Sequence, residues 1–176
     1  MPENNVFFLH RDATISAAWL HDKHSVTMVF EIEKLIASAA QMTICETEPL
    51  IPAATFEHPH LMWALSSIEH VQWLYSYYNA LSDRYRNVFH RKYRNHVTMQ
   101  QFESLMRVFP RQPWQDPPLL VDSDCVQHDI CESYRLYYIR CKIKVGSYKR
   151  VRMPYWVSNH MNESEHDVFQ GLFDEA

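Results

Sequence analysis

The sequence predicts an all-α protein: a compact single-domain helical bundle with a short extended N-terminal arm. Three observations carry that expectation. Only Gly146 and Gly171 are glycine in 176 residues, too few for the positive-φ turns that barrels and hairpin sheets require. Apolar residues recur at three- and four-residue steps over several stretches, which is the period of an amphipathic helix. The 9 prolines gather between those stretches, where they interrupt no helical hydrogen bond. A chain of this length forms one core that buries about two thirds of its surface, so residues 1–176 are read as one helical domain. Residues 1–5 form an N-terminal extension, and 160–176 an acidic tail expected to be mobile.

Each element follows from its residues. Val6-Phe7-Phe8-Leu9 is the apolar arm. Asp12 caps a helix starting at Ala13, because its carboxylate accepts from the unpaired first-turn N–H groups. From Asp22, the positions Val26, Val29, Phe30, Leu35, Ile36, Ala39 and Ala40 predict a helix to about Met42. Residues 45–57, with Pro49, Pro52 and three glutamates, read as a loop. Thr55 or His58 opens the next helix, whose face Trp63, Leu65, Ile68, Val71, Trp73, Leu74, Tyr77, Tyr78 and Leu81 runs unbroken to about Arg84. Thr98 caps a shorter helix carrying Phe102, Leu105, Met106 and Phe109. It stops before Pro110, since the residue preceding a proline is pushed out of the α region. Pro110, Pro113, Pro117 and Pro118 make 110–123 extended. A final long helix is expected from Ser123 to Ile143, with Gly146 breaking it and Pro154-Tyr155-Trp156 folding back on the bundle.

Charge is unevenly distributed. The net charge is −4, yet 12 of the 17 bases fall in two runs without an acid. One holds Arg84, Arg86, Arg91, Lys92 and Arg94; the other holds Arg135, Arg140, Lys142, Lys144, Lys149, Arg150 and Arg152. Both interleave aromatic residues. Such runs give a local positive field despite the acidic total, the footprint of a polyanion-binding surface and here of DNA. The plainer alternative is two solvated helix faces. The scarcity of glycine excludes a Walker loop and a dinucleotide fingerprint. Cys45, Cys125, Cys131 and Cys141 have no framework spacing, so reduced thiols in the cytoplasm are expected. No apolar run is long enough to span a bilayer, so no membrane association is expected.

The densest polar cluster is His21-Asp22-Lys23-His24, with Glu31 seven residues after His24. Seven residues is two helical turns, placing His24 and Glu31 on one face about 10 Å apart. A carboxyl beside an apolar stripe is desolvated, which suits general acid–base work; the alternative is a capping Asp22 and an ion-paired Glu31. His58-Pro59-His60 forms a second histidine pair. No metal or cofactor is expected, but His21, His24, His58 and His60 would make a nitrogen-rich metal site if the two helix starts converged.

Two resemblances follow from these residues. Val6-Phe7-Phe8-Leu9, Asp22-Lys23-His24, His58-Pro59 with Trp63, Trp73-Leu74, Arg84-Tyr85, Tyr134-Arg135-x-Tyr137-Tyr138 and Pro154-x-Trp156 resemble an uncharacterised family of small tailed-phage proteins over nearly the whole chain. That resemblance implies the cytoplasm of an infected host cell and no particular activity. More distantly, Asp22, His24 and Glu31 are similar to the phage pyrimidine-dimer DNA glycosylase/AP-lyase family. That family has an Asp-x-His at the start of its first long helix, a catalytic Glu seven residues after the His, and a basic, aromatic C-terminal region. It implies Glu31, His24 and Asp22 as catalytic residues. It also implies an α-amine nucleophile, which removal of Met1 would supply at Pro2; formamidopyrimidine-type glycosylases likewise begin Pro-Glu. The two basic runs would hold phosphates. The leading expectation is thus a DNA glycosylase/lyase-like enzyme acting on a modified or damaged base. The alternatives are a non-catalytic viral accessory protein that binds nucleic acid or a host protein, and a His-rich metal-dependent hydrolase.

Overall fold

The computed structural model describes residues 6–44, 58–92 and 99–161. Among these residues the regular structure is helical and no strand occurs. The α-helices are α1 (Ala13–Ala18), α2 (Asp22–Ile44), α3 (Pro59–Ser66), α4 (Ile68–Asn87), α5 (Met99–Val108), α6 (Ile130–Tyr137) and α7 (155–161). The expected loop at 45–57, the cap at Thr98 and the tail beyond 161 lie outside the described residues.

Local chemistry sets the helix starts. The Asp12 carboxylate accepts from Ile15 N at 2.9 Å. His58 Nδ1 accepts from His60 N at 3.2 Å, with Pro59 at the first helical position, where its missing N–H costs nothing. The single helix expected from 58 to 84 is two helices. Ser67 takes an extended conformation (φ −156°, ψ 146°), accepts from Glu69 N at 3.3 Å and donates to Gln112 O at 2.6 Å. Adjacent serines offer the backbone hydroxyl partners in place of the helical ladder, which an unbroken apolar face conceals.

The helix expected over 123–143 is also interrupted. Ser123–Cys125 forms one 3-10 turn, and α6 starts only after Asp129, whose Oδ1 accepts from Cys131 N (2.7 Å) and Glu132 N (3.2 Å). This cap meets two orphan first-turn donors, so it fixes the start more firmly than Ser123 does. After α6 the backbone widens into a π-turn at Tyr138–Lys142 and tightens again at Ile143–Val145, ending at Gly146.

α4 is the central strut: α1, α2 and α3 pack on it, and α5 packs on α2. The core is rich in tyrosine, with Tyr77, Tyr78, Tyr134, Tyr137 and Tyr138 no more than 2% exposed. Burial of such rings is tolerated only where the hydroxyl finds a partner. Tyr78 donates to Glu33 Oε1 at 2.6 Å and Tyr134 to Pro118 O at 2.8 Å.

The arm Val6–Leu9 is fully enclosed without joining a sheet, so its backbone needs other partners. Leu9 N donates to Ser16 Oγ (3.0 Å), Ser16 Oγ donates to Phe7 O (2.9 Å), and Arg135 Nε donates to Leu9 O (2.8 Å). The proline-rich segment is extended as expected and is held in the same way. Trp63 Nε1 donates to Gln115 O (2.8 Å), Gln115 N donates to His70 Nε2 (3.0 Å), and Leu120 N donates to the Tyr134 hydroxyl (3.3 Å). Trp156 meets Trp19 and Tyr138 edge-on, so 154–156 folds back on the bundle as predicted.

Candidate nucleic-acid interface

Asp22 at the start of α2 organises one end of the molecule. Its carboxylate accepts from Lys149 N (3.0 Å), Arg150 N (3.2 Å) and Val151 N (3.2 Å), and from Ser147 Oγ (3.3 Å). Its own N–H donates to Ser147 O at 2.9 Å. The loop 147–151 is thereby folded around a single anion. Asp22, expected as a catalytic residue, is an anchor whose lone pairs are occupied.

This loop forms one wall of an open cleft of about 420 Å³. The first turns of α2 supply Lys23, Val26 and Thr27, the loop supplies Ser147 and Arg150, and the chain leaving α4 supplies Phe89 and Arg91. Between those last two, His90 holds a left-handed φ of 52°, a conformation costly for a residue with a Cβ. On either side of that kink Phe89 is buried and Arg91 exposed, and such strain concentrates at functional sites. The Arg150 guanidinium lies 5.9 Å from the Phe89 ring centre, within cation–π range.

The two basic runs therefore meet here, but only part of each is available. Arg84 is internal: Nη1 donates to Ala17 O (2.9 Å) and Ser25 Oγ (3.3 Å), and Nη2 to Ala18 O (2.9 Å). Arg135 donates to Leu9 O and lies 4.9 Å from the Trp19 ring centre. Those two expected phosphate contacts are structural instead, because each guanidinium closes backbone carbonyls that would otherwise be orphaned. Arg86 pairs with Asp83 at 2.9 Å and Arg140 with Asp124 at 2.7 Å. Lys142 sits 5.2 Å from the Tyr137 ring centre. Lys23, Arg91 and Arg150 form no ion pair with a carboxylate among the described residues. Lys92, Lys144, Lys149 and Arg152 are also exposed. Arg94 and Pro2 lie outside the described residues.

The proposed acid–base pair sits elsewhere. His24 Nδ1 meets the Tyr138 hydroxyl at 3.0 Å, and that hydroxyl accepts from His21 N at 3.0 Å. The His24 ring stacks between Phe7 (4.7 Å) and His21 (4.1 Å). Burial holds the His24 imidazole down to about 3 and the His21 imidazole to about 4. Glu31 keeps 22% of its side chain exposed and pairs with Lys34 at 3.3 Å, while its Oε2 is enclosed without a hydrogen-bond partner among the described residues. It is not among the residues that line the cleft of Lys23, Arg91 and Arg150. The fully buried carboxyl of this helix is Glu33, 2% exposed. Its position was legible, four residues after Val29 and three before Ile36.

The four histidines do not converge. His21 and His24 pack against Tyr138, whereas His60 Nε2 faces the Tyr134 hydroxyl at 3.4 Å. No group of three His, Cys, Asp or Glu able to hold a metal exists among the described residues. Cys125, Cys131 and Cys141 are free thiols.

Gly146 matters through contact. A Cβ there would fall onto Cδ2, Cγ and Nε2 of His21, and the buried ring has nowhere to retreat. Gly146→Ala is expected to cost about 2–3 kcal/mol of stability by overpacking. Urea unfolding measures this, and adding His21→Ala should recover part of the loss.

The fold and this site define a class: an all-helical protein with a cationic cleft assembled from three separate segments. No helix among the described residues is long and apolar enough to cross a membrane. No protein-family model, curated protein or solved structure matches the chain.

Proposed function

We propose that this protein is a non-catalytic nucleic-acid-binding accessory protein whose phosphate-contacting surface is the cleft of Lys23, Arg91 and Arg150. The observation that carries this reading is the sorting of its cations. Several arginines are consumed by carbonyls or carboxylates, while these bases from three segments converge on one opening. The Asp22 charge is covered by backbone and hydroxyl donors, so it opposes an incoming phosphate weakly. Exposed Lys92, Lys149 and Arg152 extend the positive field. DNA affinity should fall steeply with salt as counterions are released. Combined Lys23→Ala, Arg91→Ala and Arg150→Ala should lower the log–log salt slope by about 2–3. Fluorescence anisotropy between low and moderate salt tests this; a flat salt response points to a protein partner instead.

The glycosylase/lyase reading draws on one observation, the amine–carboxylate pair of Lys34 and Glu31 with one oxygen shielded. A lyase needs an amine to form a Schiff base with the sugar and an acid beside it. Borohydride treatment on abasic DNA should then trap a covalent species. Loss of trapping in Lys34→Ala assigns the amine to Lys34, retention there with loss on blocking the N-terminus assigns it to the α-amine, and the absence of any trapped species ends this reading.

A further inference from the structure

We propose that the cleft captures a terminal phosphomonoester, so that the protein recognises a phosphorylated strand end in preference to the internal phosphates of a duplex. The proposal rests on the nucleic-acid reading above and narrows it. Size is the first argument: about 420 Å³ lies in the range of small-molecule pockets and accommodates one nucleotide unit, whereas a double helix stays outside. Charge is the second. Lys23, Arg91 and Arg150 outweigh Asp22 by two units, which matches the near-dianion of a phosphomonoester at neutral pH; an internal phosphodiester carries one charge. The third is the apolar and planar surface beside the cations. Val26 lines the cleft, and the Arg150 guanidinium, seated 5.9 Å from the centre of the buried Phe89 ring, offers a plane on which a terminal base can stack. The left-handed His90 lies between Phe89 and Arg91, so the ring that seats the Arg150 guanidinium and one phosphate ligand come from a single turn.

The test uses the full chain and single-stranded DNA of one sequence in three forms: 5′-phosphorylated, 3′-phosphorylated and hydroxyl at both ends. Anisotropy at constant moderate salt should show one phosphorylated form binding about tenfold more tightly than the hydroxyl form. Arg91→Gln and Arg150→Gln should each erase that difference, with circular dichroism and thermal midpoint unchanged. A nucleoside monophosphate should compete where the nucleoside does not. Equal binding of all three forms, with affinity still lowered by the arginine variants, overturns the end-recognition proposal and leaves nucleic-acid binding standing. If no oligonucleotide binds but the nucleoside monophosphate does, in an Arg150-dependent way, the phosphomonoester site stands and the nucleic-acid reading falls. Binding of neither overturns both.

Discussion

Acidification from pH 7 to pH 4 is expected to unfold this protein, with two to three protons taken up per molecule. His21, His24 and His60 are held neutral, chiefly by burial, at about 4, 3 and 3. In the unfolded chain each returns to about 6.5. Between those values the unfolded state binds more protons, so stability rises with pH. The contribution is complete above about pH 6.5 and drains away as pH falls toward the folded values. Each histidine costs about 1.4 kcal/mol per pH unit inside that window. His21 and His24 stack at 4.1 Å, and the charge of one opposes protonation of the other. Near pH 5 the combined loss is therefore roughly 4–6 kcal/mol, comparable with the whole stability of an ordinary domain. Urea midpoints by circular dichroism at half-unit pH steps measure the slope. A curve flat between pH 7 and pH 5 would show these rings to be hydrated and chargeable in the native state.

The second large effect concerns Arg84. Arg84→Ala is expected to cost about 3–4 kcal/mol and to lower the thermal midpoint by about 10 °C. Its guanidinium spans the carbonyls of Ala17 and Ala18 and the Ser25 hydroxyl. It thus closes the last turn of α1, where a cation also complements the helix dipole. α1 has six residues, too few to persist alone in water, so its end must be held by tertiary partners. Arg84→Lys should recover less than half, because an ammonium cannot reproduce the planar fork. DNA affinity of the Lys variant should equal that of the parent protein, which separates this role from phosphate contact. A loss below about 1 kcal/mol for the Ala variant would refute the bracing role.

How far the sequence anticipates this arrangement depends on the kind of interaction. The helical class, the Asp12 cap, the span of α2 and the buried arm follow from local periodicity and capping chemistry, which act within a few residues. The breaks at Ser67 and at 126–129 do not. Ser67 leaves the helix to donate to Gln112, a partner 45 residues away that the local apolar pattern cannot register. The cleft was half legible. Both basic runs reach it, through Arg91 and Arg150. Spacing alone could not separate these from Arg84 and Arg135, because an arginine that closes a carbonyl and one that faces solvent look alike in a charge run. In the sequence Lys23 reads only as part of the histidine cluster. The spacing of Glu31 from His24 concerns one helix and says nothing about which cavity opens beside it.

The arm and the proline-rich segment carry a consequence for change in the chain. Several backbone groups there are matched to an individual indole, imidazole, hydroxyl or guanidinium rather than to a repeating ladder. A ladder can slip and re-form, whereas a set of unlike partners has one alignment. Inserting a single residue after Pro110 would move every later carbonyl off its mate, so these connectors tolerate length change no better than the helices they join.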